Sequence, residues 1–356
     1  MQIIPVIDIR NGIAVRAVAG DRSRYRAIES LLTNSAEPTE VLKALVKHFQ
    51  CVFCYAADLD AIEGRPLNRC TIAEMARTGV SLIVDAGATT AEQIESLIEI
   101  GVHQIVLSSE SIKDMTQFEP LIRPFNSASL IFSIDLKHGQ LLVKDSAWQG
   151  SLPIDLATFV IQQGIRQLIV LDLAAVGTGR GVPTLQLCRD IRRLSQDLKI
   201  ISGGGVTSKT CVTEAAQAGL DGLLIASALH DGRLMADDLS QLVFVYGSLK
   251  RGYALHALLR GQLYLGDAVT QPLYRLFDLG SYPGLVEWPD GLAIHGEIYQ
   301  VDFECLRRLD EAEGVDERLY ARRGIRLQTE FEARDVHAWF WLRTVANLRD
   351  CSVAWP

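Results

Sequence analysis

Two stretches of this chain nearly repeat each other: "PVIDIRNG" at residues 5–12 and "FSIDLKHG" at residues 132–139. Each is an apolar run that contains one carboxylate, Asp8 or Asp135, and then breaks at a glycine. Such a run is typical of a β-strand that leads into a turn. The near-copies therefore predict two equivalent strands, half a domain apart.

Short β-rich runs alternate with longer amphipathic segments through the first two-thirds of the chain. Strands that are apolar on both faces and separated by helices indicate a parallel sheet covered by helices. Eight such units in this length favour a closed (βα)₈ TIM barrel over an open doubly wound sheet. The expected strands are "IIPVID" from Ile3, "VFCYAADL" from Val52, "SLIVDAG" from Ser81, "QIVLSS" from Gln104, "LIFSIDL" from Leu130, "QLIVLDL" from Gln167, "KIISGGG" from Lys199 and "GLLIAS" from Gly222.

The order of the motifs predicts a barrel of two similar halves, in which strands five to eight echo strands one to four. The matching pairs are "IDIRNG" with "IDLKHG", "ADLDAIEGR" from Ala57 with "LDLAAVGTGR" from Leu171, "DAGATT" from Asp85 with "GGGVTS" from Gly203, and "VLSSES" from Val106 with "LIASAL" from Leu224.

Composition and charge narrow the function classes. The chain has 356 residues, of which 48% are hydrophobic, and a net charge of −8. An acidic chain lacks the basic face that non-specific nucleic-acid binding requires. No apolar run exceeds strand length, and the first residues predict a strand and not a signal peptide, so we expect a cytoplasmic protein without a membrane segment. We expect small-molecule substrates and no cofactor, and the oligomeric state stays open.

The seven cysteines are scattered and odd in number, which favours a reducing compartment over a disulfide framework. Cys51 and Cys54 have the CxxC spacing of metal and redox sites. They fall within an expected strand, where residues three apart point to opposite faces, and no second pair completes a zinc site. We interpret them as buried core thiols and expect no metal.

The pattern changes from Leu242 onward. Alternating, aromatic-rich strands with Gly/Pro turns and one helical stretch predict a small mixed α+β domain of mostly antiparallel sheet. The connection between Met235 and Gln241 is short and acidic. We therefore place a barrel domain at residues 1–236 and a second domain at residues 240–356.

Barrel enzymes carry their chemistry where the strands end at one face. Asp8 and Asp135 end the first and fifth expected strands, opposite each other across the barrel mouth. Two carboxylates on a shared cavity can divide acid and base work. The alternative is that they cap loops or pair with Arg10 and Lys137.

"SGGGV" ends the seventh strand and "IASAL" ends the eighth. Glycines allow backbone N–H groups to approach an anion, and a following helix N-terminus favours negative charge. At these two strands of a barrel, the pair predicts a phosphate-binding cradle.

With these motifs and the half-barrel repeat, the first two-thirds of the chain resembles the HisA/HisF family of histidine biosynthesis. The isomerase branch of that family performs an Amadori rearrangement on a substrate with two phosphates. The resemblance implies that Asp8 is the general base and that Asp135 is its counterpart in the second half. It also implies one phosphate site formed by Gly204, Gly205, Ala226 and Ser227.

Four positions depart from the isomerase pattern. Val176 stands where the isomerase has the aspartate that acts as its general acid. Leu171 stands where the resemblance leads us to expect a threonine. In the first-half cradle, Asp85 and Glu110 bring negative charge to a phosphate position. We therefore expect an altered substrate, with one phosphate and a neutral, cationic or metal-bridged group at the other end. The alternative is a true isomerase whose missing acid comes from elsewhere.

The second domain opens with "FVYGSLKRG", a strand followed by a tight turn whose successive N–H groups would suit a carboxylate or phosphate, helped by Lys250 and Arg251. Further on, "LDEAEG" contains three acidic residues at helical spacing. We interpret Asp310 and Glu311 as a solvated face.

Five motifs in order make this domain resemble the γ-glutamylcyclotransferase-like superfamily, nearest its γ-glutamylamine (AIG2-like) branch. These enzymes cyclise a γ-glutamyl group to 5-oxoproline and release an amine. The resemblance implies that Glu313 transfers the proton and that Tyr320 is a pocket wall, although Tyr320 would suit the core equally well. The implied clamp on the α-carboxylate is the backbone at Tyr246, Gly247, Ser248 and Leu249. A module that binds γ-glutamyl or carboxylate groups without catalysis is the alternative.

Overall fold

The computed structural model describes residues 1–355, and the chain divides into two compact units, of which one ends at Ala236 and the other begins at Asp237. Eight strands of the first unit pair in parallel, and the pairing of the last with the first closes the sheet. The predicted eight-stranded barrel is thus confirmed. The strands are β1 (Gln2–Arg10), β2 (Ile13–Arg16), β3 (Arg26–Ala27), β4 (Phe53–Asp58), β5 (Ser81–Asp85), β6 (Gln104–Ser108), β7 (Leu130–Lys137), β8 (Gln140–Leu141), β9 (Gln167–Asp172), β10 (Lys199–Gly203) and β11 (Gly222–Ile225).

Helices cover the outside of the barrel and begin at clear capping signals. Glu37 accepts hydrogen bonds from the first N–H groups of α1, and Thr90 and Gln93 form a capping box at α4. No helix among the described residues is both long and apolar enough to span a membrane. The helices are α1 (Pro38–Phe49), α2 (Leu59–Ile62), α3 (Arg69–Ala76), α4 (Ala91–Glu99), α5 (Phe118–Ile122), α6 (Pro153–Gln162), α7 (Leu185–Leu194), α8 (Lys209–Gln217) and α9 (Ser227–His230).

A layer of side chains fills the barrel interior, with one residue from each of the eight parallel strands. Burial of branched and aromatic side chains at this level makes the barrel a packed core and leaves its open space at the strand ends. The layer consists of Ile4, Tyr55, Ile83, Val106, Ile131, Ile169, Ile201 and Leu224.

The repeated stretches form two equivalent hairpins at the barrel mouth. After β1 the chain turns through Asn11 and Gly12, and after β7 it turns through His138 and Gly139. All four residues have positive φ, which matches the two-residue hairpin turn that fits the twist of the strands. The glycine at the end of each repeat is therefore a requirement of the hairpin.

Buried carboxylates hold these hairpins, one at the end of strand β9 and the other in helix α2. Asp172 accepts hydrogen bonds from the N–H groups of His138 (3.1 Å), Gly139 (2.7 Å) and Ala174 (3.0 Å). In the other half, Asp60 accepts from the N–H group of Asn11 at 2.7 Å. The two halves use the same device, a carboxylate that satisfies the N–H groups of a turn.

The cysteine pair fits the core interpretation in part. Cys54 is fully buried, and burial raises the pKa of its thiol well above the ordinary value. Cys51 is only half-buried, because it precedes β4 and lies at the end of the barrel where the strand begins.

The second unit is a mixed five-stranded sheet with one long helix and a separate hairpin. The order in the sheet is β13-β16-β12-β18-β17, and only β12 and β18 pair in parallel. The predicted α+β domain of mostly antiparallel sheet is confirmed. Its elements are β12 (Ser240–Val245), β13 (Leu263–Val269), β14 (Tyr274–Asp278), β15 (Pro283–Glu287), β16 (His295–Asp302), α10 (Phe303–Ala312), β17 (Tyr320–Gly324) and β18 (Val336–Trp341).

We expect Asp172→Asn to destabilise the barrel by about 1–3 kcal/mol, because an amide nitrogen would face an N–H donor of the hairpin turn in place of a buried carboxylate oxygen. Chemical unfolding followed by far-ultraviolet circular dichroism measures the effect. Asp197→Asn is the matched control, since Asp197 is exposed on the same half of the barrel. Equal midpoints for the two variants would contradict a role for Asp172 in holding the hairpin.

Candidate active sites

The carboxyl ends of the barrel strands surround a cavity of about 650 Å³. All of the barrel residues that the sequence singled out line this one cavity, although they come from four strands distant in the chain. They are Asp8, Asp135, Gly204, Gly205, Ala226 and Ser227. Their roles stay predictions, but the fold brings them together.

The two aspartates of the repeat differ in their surroundings. Asp135 is 5% exposed; its Oδ1 accepts a hydrogen bond from the Ser133 hydroxyl at 2.7 Å, and its Oδ2 has no partner among the described residues. Asp8 is half-buried. Neither forms an ion pair with Arg10 or Lys137 within the described part of the chain, which counts against the ion-pair alternative, since Arg10 pairs with Glu63.

Burial alters the acidity of both groups. It raises the pKa of Asp8 to about 7. Burial, with the nearby charges of Glu110 and Asp85, raises the pKa of Asp135 to about 8. Two carboxyls that exchange protons near neutral pH are suited to general acid and base work.

The glycines after β10 form one wall of the cavity. Gly204 and Gly205 have φ values of 85° and 82°, and a Cβ on Gly205 would lie 2.5 Å from the carbonyl oxygen of Gly181. This position therefore requires glycine, and the exposed backbone would allow close approach of an anion. Ala226 and Ser227, at the start of α9, complete the wall.

Two of the departures from the isomerase pattern lie beside this wall. A Cβ on Gly204 would lie 3.5 Å from Leu171 Cδ1 and 3.6 Å from Val176 Cγ2. Both side chains therefore lie close to Gly204 and give an apolar surface to this part of the cavity. Both residues line the cavity.

The first-half counterpart of this wall carries a carboxylate that is bonded to its own turn. Asp85 Oδ1 accepts the N–H group of Gly87 at 3.0 Å, and Asp85 Oδ2 accepts the Tyr55 hydroxyl at 3.3 Å. Burial raises the pKa of Asp85 to about 6, and Glu110 adds to the shift. Arg22 offsets part of this charge, since its Nη2 lies 3.3 Å from Glu110 Oε1.

Sequence reasoning missed Tyr55 and Arg22. Tyr55 lies inside an expected strand, where an aromatic residue is ordinary core, and its hydroxyl contact appears only when β4 and β5 are paired. Arg22 lies in a basic loop, "DRSRYR", whose position over the cavity had no signal in the sequence.

The second unit contains a small pocket with about 10 Å³ of free space, enough for about one water molecule. Six of the residues that the sequence proposed for this domain line it, and they come from the β12 turn, the end of α10 and β17. They are Tyr246, Gly247, Ser248, Leu249, Glu313 and Tyr320.

The turn after β12 presents unused donors. The N–H groups of Gly247, Ser248 and Leu249 make no hydrogen bond within residues 1–355. Gly247 packs against Pro283, because a Cβ there would lie 2.3 Å from Pro283 Cγ. Successive free N–H groups of this kind form a concave anion site.

Glu313 ends α10 and is the only acidic residue among those that line the pocket in the described chain. Its carboxyl has no hydrogen-bond or ion-pair partner among residues 1–355. Burial, with a smaller contribution from Asp310, raises its pKa to about 7. A carboxyl of this pKa can both accept and return a proton at neutral pH.

Tyr320 is both a core residue and a residue of the pocket wall, the two alternatives that the sequence left open. It is 4% exposed, packs edge-on against Trp341 at 5.0 Å and lines the pocket. Its hydroxyl donates to the carbonyl oxygen of Pro283 at 2.7 Å, and the Tyr246 hydroxyl donates to the carbonyl oxygen of Trp339. Both tyrosines are therefore fixed walls.

Two expectations for this domain were wrong. Arg251 does not help the turn, because its guanidinium bonds to Glu297 (3.2 Å) and Asp267 (3.1 Å) and lies over the Tyr264 ring. Asp310 is not a solvated residue, because it pairs with Arg322 at 2.9 Å and accepts from Trp339 Nε1 at 2.9 Å. Its helical spacing could not reveal these partners on β17 and β18.

Lys250 does not contribute to the pocket either. Its ammonium lies 5.1 Å from the centre of the Tyr253 ring, and it is absent from the residues that line the pocket. The helix residue Glu311 is exposed and pairs with Arg307 one turn away, as the sequence predicted for a solvated face.

Together these features define an eight-stranded barrel with carboxyls and a glycine wall around the cavity at its strand ends, and a small domain with a carboxyl beside a turn of free N–H groups. Comparison with known families agrees with this description. The family model for histidine biosynthesis proteins matches residues 2–235, and that for γ-glutamyl cyclotransferases of the AIG2-like type matches residues 243–354.

Curated relatives match the barrel over nearly their whole length. An imidazole-4-carboxamide isomerase of Streptococcus sanguinis is 28% identical over 246 residues, which are 68% of this chain and 98% of that protein. The corresponding isomerase of Deinococcus radiodurans is 30% identical over 238 residues, 65% of this chain and 95% of that protein. An uncharacterised protein of Methanocaldococcus jannaschii is 29% identical over 249 residues, 69% of this chain and all of that protein.

The chain therefore belongs to the HisA/HisF-type histidine biosynthesis protein family through its barrel, and it carries an AIG2-like γ-glutamylcyclotransferase domain after it.

We expect Glu313→Gln to stabilise the second unit above neutral pH. Between pH 4.5 and about 7 the folded protein holds more protons at Glu313 than the unfolded chain, so this carboxyl lowers the stability as pH rises through that range. The loss reaches up to about 3 kcal/mol above pH 7 and is absent below pH 4.5. Fluorescence unfolding at pH 5 and pH 8 measures it, since four of the five tryptophans lie beyond residue 236.

The matched control for this measurement is Glu311→Gln, an exposed position on the same helix. It should change stability little at either pH. A Glu313→Gln variant that is less stable than the parent at pH 8 would contradict an uncompensated carboxyl at this site.

Proposed function

We propose that the second domain cyclises γ-glutamyl amines or peptides to 5-oxoproline and a free amine. We also propose that the barrel is a phospho-ligand isomerase or lyase whose substrate differs from that of the related isomerases. The observation that carries the first proposal is the common pocket of Glu313 and the free N–H groups of Gly247, Ser248 and Leu249.

The cyclisation follows from this arrangement. The substrate α-carboxylate would bind the N–H groups of the turn, which fixes the α-amine near the γ-carbonyl of the same molecule. The amine nitrogen attacks the γ-carbonyl carbon, a ring C–N bond forms, and the C–N bond to the departing amine breaks. Glu313 takes the proton from the α-ammonium group and gives it to the departing nitrogen.

The pocket has to widen for this substrate, because its free space of about 10 Å³ is far smaller than a γ-glutamyl group. Tyr282 is the wall residue suited to movement, since it is 40% exposed, whereas Tyr246 and Tyr320 are buried and hydrogen-bonded. The fixed walls would position the glutamyl group and the exposed edge would accept the variable amine.

We expect the full-length protein to release 5-oxoproline from members of a panel of γ-glutamyl amines and dipeptides. Glu313→Gln should lower the rate by about 10²–10⁴-fold, because proton transfer is lost. Chromatographic measurement of 5-oxoproline tests this, with Glu311→Gln as the control that should retain activity.

The competing function is a binding module without catalysis. A binder of an acidic ligand gains nothing from a second, half-buried carboxylate, which supports catalysis. If the panel members protect the folded protein against heat but none is converted, the cyclotransferase proposal is wrong and the binding module is right.

For the barrel, we propose one phosphate at the wall formed by Gly204, Gly205, Ala226 and Ser227, with proton transfer by Asp8 and Asp135. The name of the related isomerases describes a substrate with two phosphoribosyl groups. The bond between Asp85 and Gly87 and the apolar pair Leu171 and Val176 argue against that substrate here.

We expect the full-length protein to convert the substrate of the related isomerases at less than about one-thousandth of an ordinary enzyme rate of about 10 s⁻¹. A coupled absorbance assay beside an authentic isomerase measures it. Turnover at an ordinary rate would overturn the altered-substrate proposal and favour a true isomerase, for which the similarity of the curated relatives is the supporting observation.

A further inference from the structure

One side of the barrel cavity is acidic. The ends of three neighbouring strands, β5, β6 and β7, bring Asp85, Glu110 and Asp135 to the same wall. Asp85 and Asp135 are 7% and 5% exposed, so their charges are poorly solvated. These carboxylates repel one another, and the repulsion raises the pKa values of Asp85 and Asp135.

The protein supplies too little positive charge to this wall. Arg22 pairs with Glu110 at 3.3 Å and also lies 3.7 Å from Glu63, so its charge is divided. Lys137 lines the cavity but is exposed, and it makes no ion pair within 4 Å among residues 1–355. Asp85 and Asp135 thus form no ion pair among the described residues, although the charge of Arg22 reaches Asp85.

One buried carboxylate oxygen in this wall, Asp135 Oδ2, accepts no hydrogen bond from the described residues. Asp135 lines the cavity, and its buried Oδ2 has no hydrogen-bond partner among the described residues. A buried carboxylate oxygen without a donor costs free energy that a ligand donor would recover. This atom is independent evidence that the acidic wall accepts a ligand group.

The two halves of the internal repeat differ at the end of their third strands. By the order of the repeat, Asp85 and Gly87 correspond to Gly203 and Gly205 of the proposed phosphate wall. In the first half the Gly87 N–H is already bonded to Asp85 Oδ1 at 3.0 Å. The protein's own carboxylate thus occupies the position where an anion would otherwise bind, and it faces the cavity with negative charge.

We propose that this wall binds a protonated amine, so that the ligand of the barrel is a phosphate ester with an ammonium group at its far end. The ammonium would donate to Asp135 Oδ2 and to Asp85, opposite the phosphate at Gly204 and Gly205. This inference rests on the phosphate site of the proposed function and specifies the ligand further.

An ammonium fits this wall better than a metal ion. Among the described residues, no three acidic, histidine or cysteine side chains are arranged to hold a metal. Of the four carboxylate oxygens of Asp85 and Asp135, only Asp135 Oδ2 accepts no hydrogen bond among the described residues. An ammonium group suits this arrangement because it carries three N–H donors. Binding of Mg²⁺ or Mn²⁺ to this wall, with no preference for amines, would overturn the proposal.

Calorimetry on the full-length protein tests it with two matched series, ω-aminoalkyl phosphates and ω-hydroxyalkyl phosphates of two to six carbons. We expect the amine to bind at least about tenfold more tightly at the best length, as a charge-assisted bond predicts. Asp135→Asn should remove this preference and leave the affinity for the hydroxyalkyl phosphates within about twofold. Asp155→Asn, an exposed change of equal charge, should keep the preference.

A phosphate-free series separates the two claims. Ligand-detected magnetic resonance with ω-amino alcohols should show saturable binding that Asp135→Asn abolishes, whether or not a phosphate is bound. Failure of inorganic phosphate and of both phosphate series to bind would sink the phosphate site alone. Equal binding of amines and alcohols in every series would overturn the ammonium site, even with phosphate binding intact. Circular dichroism confirms that each variant is folded.

Discussion

Closure of the sheet by pairing of β11 with β1 is the constraint on which the first unit depends. The parallel pairing of these strands, with Ile3 opposite Leu223, leaves the sheet without free edges. The carboxyl ends of all eight strands therefore lie at one end of the barrel. Residues as distant in the chain as Asp8 and Ser227 then line one cavity, while the interior layer below them fills the barrel. The chemistry at the strand ends can vary because six of the eight residues of this layer do not line the cavity; Tyr55 and Leu224 belong to both.

Both cavities contain carboxyls that the protein does not neutralise. Asp135 in the barrel and Glu313 in the second unit have raised pKa values for the same reason, burial without a cation. By contrast, Asp172 and Asp310 are held by N–H groups or by an arginine, and they support the structure. Stability is lowered at the first pair and gained at the second, a division typical of functional and structural acids.

The internal repeat kept its framework and changed its chemistry. Both halves retain the hairpin after the first strand and a carboxylate that binds its turn. At the end of the third strand of each half, one has glycine and an open backbone wall, and the other has Asp85 bonded to its own turn. A cavity that is symmetric in fold is thereby asymmetric in charge.

The sequence by itself determined the barrel, its two halves and the small mixed domain, because alternation and glycine-ended strands are local patterns that do not depend on partners. It also predicted that Asp8, Asp135 and the glycines after β10 lie around one cavity, since strand ends must meet at one face of a barrel, but it missed Tyr55 and Arg22. Only the tertiary structure decided which acids are neutralised: Asp310 pairs with Arg322 and Glu297 pairs with Arg251, whereas Asp135 has no ion-pair partner among the described residues and its Oδ2 accepts no hydrogen bond. Such partners lie on other strands, so the free energy of each charge is set by contacts that no local pattern records.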